Sequence, residues 1–350
     1  MVLVACSKGA KDKPAEGSAA AQKPVPEVVV DAAPAPPANK YATPEAKLAR
    51  YQECLAAFNA GNFEQLAGCF GPASIREQVD SVPELVAEGP EKIIEMAQQQ
   101  RASFPDLTIT PRLVVVSGDT IAALHHVAGK NSAAAGGMKA TNKKLGIYEA
   151  EVVTFAADGT FARDSFYVDQ PTVYHQLGLL PNDSSPAAIE KPAGEPELLI
   201  SKGDDRETAN LATVRGLLDA ISKKNATAVA AVAAEEIKLV YHGEKQKIES
   251  KKAYMKWMKD TLASTDEGTI TIKGAWAAGD VVAVLDLFTG IPKGNLDDRQ
   301  IKTNVVQFFR ITDGKIVKHE MFANRLNAAV QLGIVDPAEL METLAAAAKK

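Results

Sequence analysis

Leu48, Tyr51, Leu55 and Phe58 fall three or four residues apart, so they line one face of an amphipathic helix. Thr43-Pro44-Glu45 opens that helix with a capping residue and a proline at the first helical position, and Gly61-Asn62 closes it. A short helix is predicted over about 63–70 and an irregular strand near 74–79. A third helix over about 90–102 turns Ile93, Met96 and Ala97 inward. Strands follow near 107–117, 120–127, 146–155 and 161–169, with Gly118-Asp119 and Asp158-Gly159 as hairpin turns. Helices first and antiparallel strands afterwards predict an α+β fold, the helices covering one face of a curved sheet.

The pattern is written twice. Leu48, Tyr51, Leu55 and Phe58 recur 163 residues later as Leu211, Val214, Leu218 and Ile221. Asn62 recurs as Asn225, Glu88 as Glu249, and Gly118-Asp119 as Gly279-Asp280. Asp158-Gly159 returns as Asp313-Gly314, at an offset shorter by six, so the second copy has lost residues in the Ala-, Gly-, Asn- and Lys-rich stretch 129–144. Asp169 stands seven residues before Gln176-Leu177-Gly178, and Asn324 seven before Gln331-Leu332-Gly333. Such self-similarity is the mark of a duplicated unit. The expected layout is a tether over 1–40, one domain over 41–180, a linker over 181–204 and a second domain with a C-terminal helix over 205–350.

Asn59-Ala60-Gly61-Asn62, Phe104-Pro105-Asp106 and the terminal strand closing on Asp169 and Gln176-Leu177-Gly178 resemble, in order and spacing, the SnoaL-like group of the nuclear transport factor 2-like superfamily. That group includes small polyketide cyclases and ester cyclase-like proteins. The resemblance covers about 43–180 well and about 205–335 more faintly. It implies two cone-shaped α+β barrels in tandem, each with three helices on a curved, mainly antiparallel sheet around an apolar cavity. It implies acid–base chemistry by a cavity aspartate, with no cofactor and no metal, and Asp169 looks like that aspartate. It also implies that sheet faces pair, as an internal pseudo-dimer of the two copies or as a homodimer. Two departures stand out: Tyr167 replaces the histidine those cyclases carry two residues before the aspartate, and the second copy has Phe322 and Asn324 there. Asparagine exchanges no proton near neutral pH, so the second copy is expected to bind rather than to catalyse.

Strand alternation puts Phe161, Arg163, Ser165, Tyr167 and Asp169 on one face. If that face lines the cavity, Tyr167 and Asp169 sit about 7 Å apart, phenol as oxyanion donor and carboxylate as acid or base. The other reading makes Asp169 a cap for the turn at Pro171-Thr172. In His125-His126 the second copy offers Asp286 and Leu287, which favours His126 as the inward residue and a third catalytic candidate. Tyr148, Arg163 and Phe104, with Phe322 and Asn324 of the second copy, are the expected ligand contacts. Glu149 and Glu151 share a face, where like charges suggest solvent. Only five histidines occur, with neither a His-Glu-x-x-His nor a paired-cysteine spacing, so no metal is expected. No nucleophile elbow and no phosphate-cradling glycine loop is present.

A net charge of −5 with mixed signs offers no basic stripe, which argues against nucleic acid as a partner. No stretch approaches the roughly 20 apolar residues of a membrane helix. Leu3-Val4-Ala5-Cys6 resembles a bacterial lipobox, with Cys6 as the acylated residue, and 7–40 has the Lys-, Ala- and Pro-rich composition of a tether. The charged and long apolar parts of a signal do not precede Leu3. Two readings follow: a lipid-anchored protein of the bacterial envelope, sorted by Ser7 to the outer membrane, or an accidental match in a cytoplasmic one. Cys54 and Cys69 flank the Gly61-Asn62 turn, where an antiparallel helix pair would bring them together. A bond there would add roughly 3 kcal/mol; alternatively they are two buried thiols, as Leu217 and Val232 of the second copy are plain core residues. Three functions remain in play. The first is an extracytoplasmic lipoprotein whose cones bind a small apolar ligand, the first domain acting through Asp169. The second is a cofactor-free cyclase, isomerase or hydrolase for a polyketide-like or lactone substrate. The third is a structural envelope protein with filled cones.

Overall fold

The computed structural model describes residues 40–134, 139–180, 185–192, 194–294 and 298–347, so Cys6 and the tether lie outside the described residues. Helix α1 (Pro44–Ala60) starts where the Thr43 hydroxyl accepts from the Ala46 N–H and ends at Gly61, whose φ of 67° suits a residue without a side chain. Helix α2 (Phe63–Ala67) is capped by Asn62. Strands β1 (Phe70–Gln78) and β2 (Leu85–Glu88) lead into α3 (Gly89–Ser103). The long strands β3 (Thr108–Ser117), β4 (Thr120–Lys130), β5 (Lys144–Phe155) and β6 (Phe161–Tyr167) follow, then α4 (Gln170–Gln176). The expected linker forms one short strand, β7 (Glu197–Ile200), which pairs with β3.

The second copy repeats the order: α5 (Asp205–Ser222), α6 (Ala226–Val232), β8 (Ala233–Tyr241), β9 (Lys247–Ile248) and α7 (Lys251–Ala263). It continues through β10 (Thr265–Ala278), β11 (Val281–Pro292), β12 (Ile301–Thr312), β13 (Lys315–Phe322) and α8 (Arg325–Gln331). Asn225 caps α6 as Asn62 caps α2. A last helix, α9 (Pro337–Ala347), buries Leu340 and Leu344 in the core of the first domain, not the second.

The first sheet runs β2-β1-β6-β5-β4-β3-β7 and the second β10-β11-β12-β13-β8-β9. In each, the copy's first strand lies parallel to its last, β1 on β6 and β8 on β13, and the later strands form an antiparallel meander. Helices cover the concave face, giving one apolar core per cone. A third core contains Val115, Ala122, Leu124, Ala150 and Val152 of one sheet with Val281, Ala283, Val306 and Phe308 of the other. The central strands of each sheet are therefore buried on both faces, and that decides where most of the candidate side chains point. Cys54 and Cys69 are joined, Sγ to Sγ at 2.06 Å, pinning α1 to the start of β1.

Candidate functional site: two cones with different interiors

On β4, Ile121, Ala123 and Val127 belong to the cone core, and His125 shares their parity. Ala122 and Leu124 belong to the core between the sheets. His126 follows them: its Nε2 donates to the Ile189 carbonyl at 2.7 Å, and its ring meets Tyr148, which in turn packs edge-on against His242 of the second domain. The inward histidine is His125, not His126. Leu287 does not mark the inward face, because an apolar residue suits either buried face.

Tyr167 likewise faces the second domain, buried in the core between the sheets, while Asp164, Phe166 and Val168 turn to the cone. Arg163 pairs with Glu77 on β1 and is half exposed. Asp169 caps α4, accepting from the Thr172 N–H at 3.2 Å and its hydroxyl at 2.7 Å. Its carboxylate also receives the Arg325 backbone N–H at 3.1 Å and Nη2 at 2.7 Å. Asn324 reciprocates, accepting from the Gln170 N–H at 3.2 Å and donating to the Gln170 side chain at 2.7 Å. Each cap thus serves its own helix and the other copy's helix. Asp169 is a clasp between domains rather than a cavity acid. Phe322 stacks on His242, outside the second cone. Of the expected ligand contacts, Phe104 lines the first cone and Asn324 stands on the wall of the second.

The first cone holds a charged cluster that includes Glu149 and Glu151, the two residues expected to face solvent. Tyr51, on α1, donates to Glu151 and accepts from His125 Nε2 at 2.6 Å. His125 Nδ1 faces Glu149 Oε1 at 3.6 Å. Arg76 pairs with Asp164 and lies over the Phe166 ring. Burial pushes the Asp164 carboxyl well above its ordinary range against the pull of Arg76, while the charge of Glu151 adds to the rise. Glu151 stays below its ordinary range although burial works the other way, because His125 and Arg76 favour its charge and Asp164 and Tyr51 hydrogen-bond to it. Of the two carboxyls, Asp164 is the one whose proton is held more tightly and Glu151 the one whose charge is favoured.

The second cone encloses a cavity beside its apolar core. A cavity of about 390 Å³ lies between α5, α7 and the sheet, walled by Leu218, Ile221, Trp257, Met258, Leu262 and Phe288. Asp286, 1% exposed, stands on its wall, a carboxylate the sequence reading did not expect in this copy. Gln307 donates its amide to Asp286 and accepts from His319 Nε2 at 2.7 Å. His319 Nδ1 faces the Tyr254 hydroxyl at 3.4 Å, so a neutral ring completes the row from Tyr254 to Asp286. Burial drives His319 down to about 3, against the charge of Glu320, and keeps it neutral. Burial pushes Asp286 up to about 7, the Gln307 hydrogen bond opposing the rise. Thr303, also on the wall, holds a buried hydroxyl oxygen with no hydrogen-bond partner among the described residues.

Strand register aligns the two interiors. Ala123 faces Glu151 as Val284 faces Gln307, and His125 faces Glu149 as Asp286 faces Val305. Asp164 faces Val153 and Arg76 as His319 faces Phe309 and Leu239. The same positions therefore hold His125, Glu149, Glu151, Asp164 and Arg76 in one copy and Asp286, Val305, Gln307, His319 and Leu239 in the other. Among the described residues no group of three or more His, Cys, Asp or Glu is placed to hold a metal ion.

Residues 48–177 match the family model of the SnoaL-like polyketide cyclases and residues 214–319 that of the SnoaL-like domain. Similar solved structures include a hypothetical protein with a ketosteroid isomerase-like fold from Catenulispora acidiphila DSM 44928, 19% identical, covering 36% of this chain and 95% of that one with a TM-score of 0.33. An LEH-like epoxide hydrolase of M. tuberculosis is 15% identical, covering 37% of this chain and 92% of its own, TM-score 0.33. A nuclear transport factor 2-like protein of unknown function from Burkholderia pseudomallei K96243 is 15% identical, covering 35% and 97%, TM-score 0.32. No curated protein matches the chain. With the duplicated cones, the repeated caps and both family matches in view, the chain consists of two SnoaL-like domains in tandem and belongs to the nuclear transport factor 2-like superfamily.

Proposed function

We propose that the second domain binds a small, mainly apolar molecule with one oxygen function at its polar end, and that Asp286 exchanges a proton with it. The observation that carries this reading is a single desolvated carboxyl, Asp286, and an unpartnered hydroxyl, Thr303, on the wall of a 390 Å³ apolar cavity. Such pockets, apolar with a few converging polar groups, are the usual form of small-molecule sites. A carboxyl near 7 is present in both protonation states at neutral pH, which suits a general acid–base. Neutral His319 fixes the Gln307 amide, which holds Asp286 in place. A cofactor-free isomerisation or cyclisation through a carbonyl-stabilised carbanion fits these groups, with Asp286 taking the proton and Thr303 donating to the oxygen.

The test is a titration of the full chain with 1-tetralone, a neutral ketone, followed through the Met258 methyl resonance and Trp257 fluorescence. A saturable change is expected, with affinity about tenfold weaker in Asp286→Asn. Absence of any change at Met258, or equal affinity in the variant, would overturn the reading.

The Cys54–Cys69 bond supports an oxidising, extracytoplasmic compartment. Membrane attachment through Cys6 is part of the same reading; an unmodified Cys6 in protein taken from its own cells would remove it. The sheet-to-sheet core supports tandem copies that stand in for two protomers, so sedimentation should find one 37.1 kDa chain and not a dimer.

A further inference from the structure

Beside the charged cluster of the first cone, a cavity of about 170 Å³ lies among Met96, Phe104, Ile147 and Phe166, with Arg76 and Glu149 also on its wall. An apolar cavity of about 150 Å³ is large enough to take up a benzene ring. Buried ions carry a large desolvation cost, and the second copy shows that this fold does not need them. Where the first copy has Glu149, Arg76 and Tyr51, the second has Val305, Leu239 and Val214. The barrel stands without the ions in one copy, so their presence in the other calls for a purpose beyond folding. Their hydrogen bonding is also incomplete. His125 Nδ1 and Arg76 Nε are buried without partners among the described residues, and Glu149 lies 3.6 Å from His125, beyond hydrogen-bond reach.

We propose that the first cone is a second, separate binding site, for a small neutral molecule with an apolar body and a polar end carrying a hydrogen-bond donor beside an acceptor, as a primary carboxamide does. Glu149 accepts from the amide N–H and Arg76 donates to its carbonyl. The charges select this class. A carboxylate ligand meets Glu149 with Glu151 behind it, and an ammonium meets Arg76. A neutral amide satisfies both groups and opposes neither. The apolar body lies against Met96, Phe104 and Phe166.

Benzamide, benzoate and benzylamine share a ring and differ only in this end, so they form the test set. In full-length protein labelled at methionine methyls, Met96 reports the first cone and Met258 the second. Benzamide is expected to shift Met96 saturably, with benzoate and benzylamine at least tenfold weaker. Glu149→Val, which installs the second copy's residue, should weaken benzamide at least tenfold while leaving Met258 at its wild-type position. Glu149→Gln, milder for folding, keeps a carbonyl acceptor and removes the repulsion, so it should retain benzamide and admit benzoate. Equal responses to all three probes, an unmoved Met96, or benzoate still excluded from Glu149→Gln would overturn the proposal. A failure at Met96 leaves the second cone's reading untouched, and a failure at Met258 leaves this one.

Discussion

In the first cone a tyrosine on α1 meets a histidine on β4, and in the second a tyrosine on α7 meets a histidine on β13. Both pairs are buried, yet they sit at different positions of the same barrel, and the groups around them differ in kind. The first interior gathers one guanidinium and three carboxyls into a cluster that leaves about 170 Å³; the second spends Gln307 and His319 on one carboxyl and leaves about 390 Å³. The frame is set by the helix caps, the hairpin turns and the core between the sheets, all shared. The interior is set by a handful of inward strand positions that diverge without disturbing that frame.

Substitutions at four places probe this contrast. The largest effect is expected for Asp286. Its folded pKa of about 7 lies above the unfolded value near 4, so the folded state holds the proton more tightly, and the stability this provides below pH 4 is lost as pH rises towards 7. That loss is about 4 kcal/mol. Urea unfolding of wild type should show it, and Asp286→Asn should not. Next comes the disulfide, present only in the first copy: replacing Cys54 and Cys69 by the second copy's Leu and Val should cost about 3 kcal/mol, read as a fall in Tm. Asp169→Ala removes a cap and the clasp to Arg325 and should cost about 2 kcal/mol, more than Asn324→Ala, because only the former strands a charge. The smallest change is a gain. Thr303→Val deletes a buried hydroxyl that has no hydrogen-bond partner among the described residues and should stabilise by about 1 kcal/mol while weakening 1-tetralone binding.

The duplicated endings, the turn dipeptides and the order of helices and strands were legible because each depends on neighbours in the chain. So was the placement of Ile93, Met96 and Ala97; for Cys54 and Cys69 the bond was one of two readings, and the structure has it. The direction of strand side chains was not. Alternation separates two faces but names neither, and the usual contrast of apolar core against polar surface disappears when a second domain covers the outer face. That is why Tyr167 and His126 were assigned to the cone while His125, Glu149 and Glu151 were not. Asp169 was legible in part: its cap on α4 was one of the two readings, but its partner Arg325 lies 156 residues away, and no local pattern announces such a pair. Asp286 is the counterpart of His125, whereas the repeated ending points only to Asn324 in the second copy. The parity that places Val282 and Val284 in the cone would have found it.

Carboxyl-selective carbon NMR through a pH titration, on wild type and on Asp286→Asn, asks most directly whether the second cone shields an acid from water. A resonance with its midpoint near 7, absent from the variant, is the expected result. A wild-type Asp286 that titrates with the ordinary surface carboxylates, near 4, would mean the chamber is open to solvent and would contradict the account.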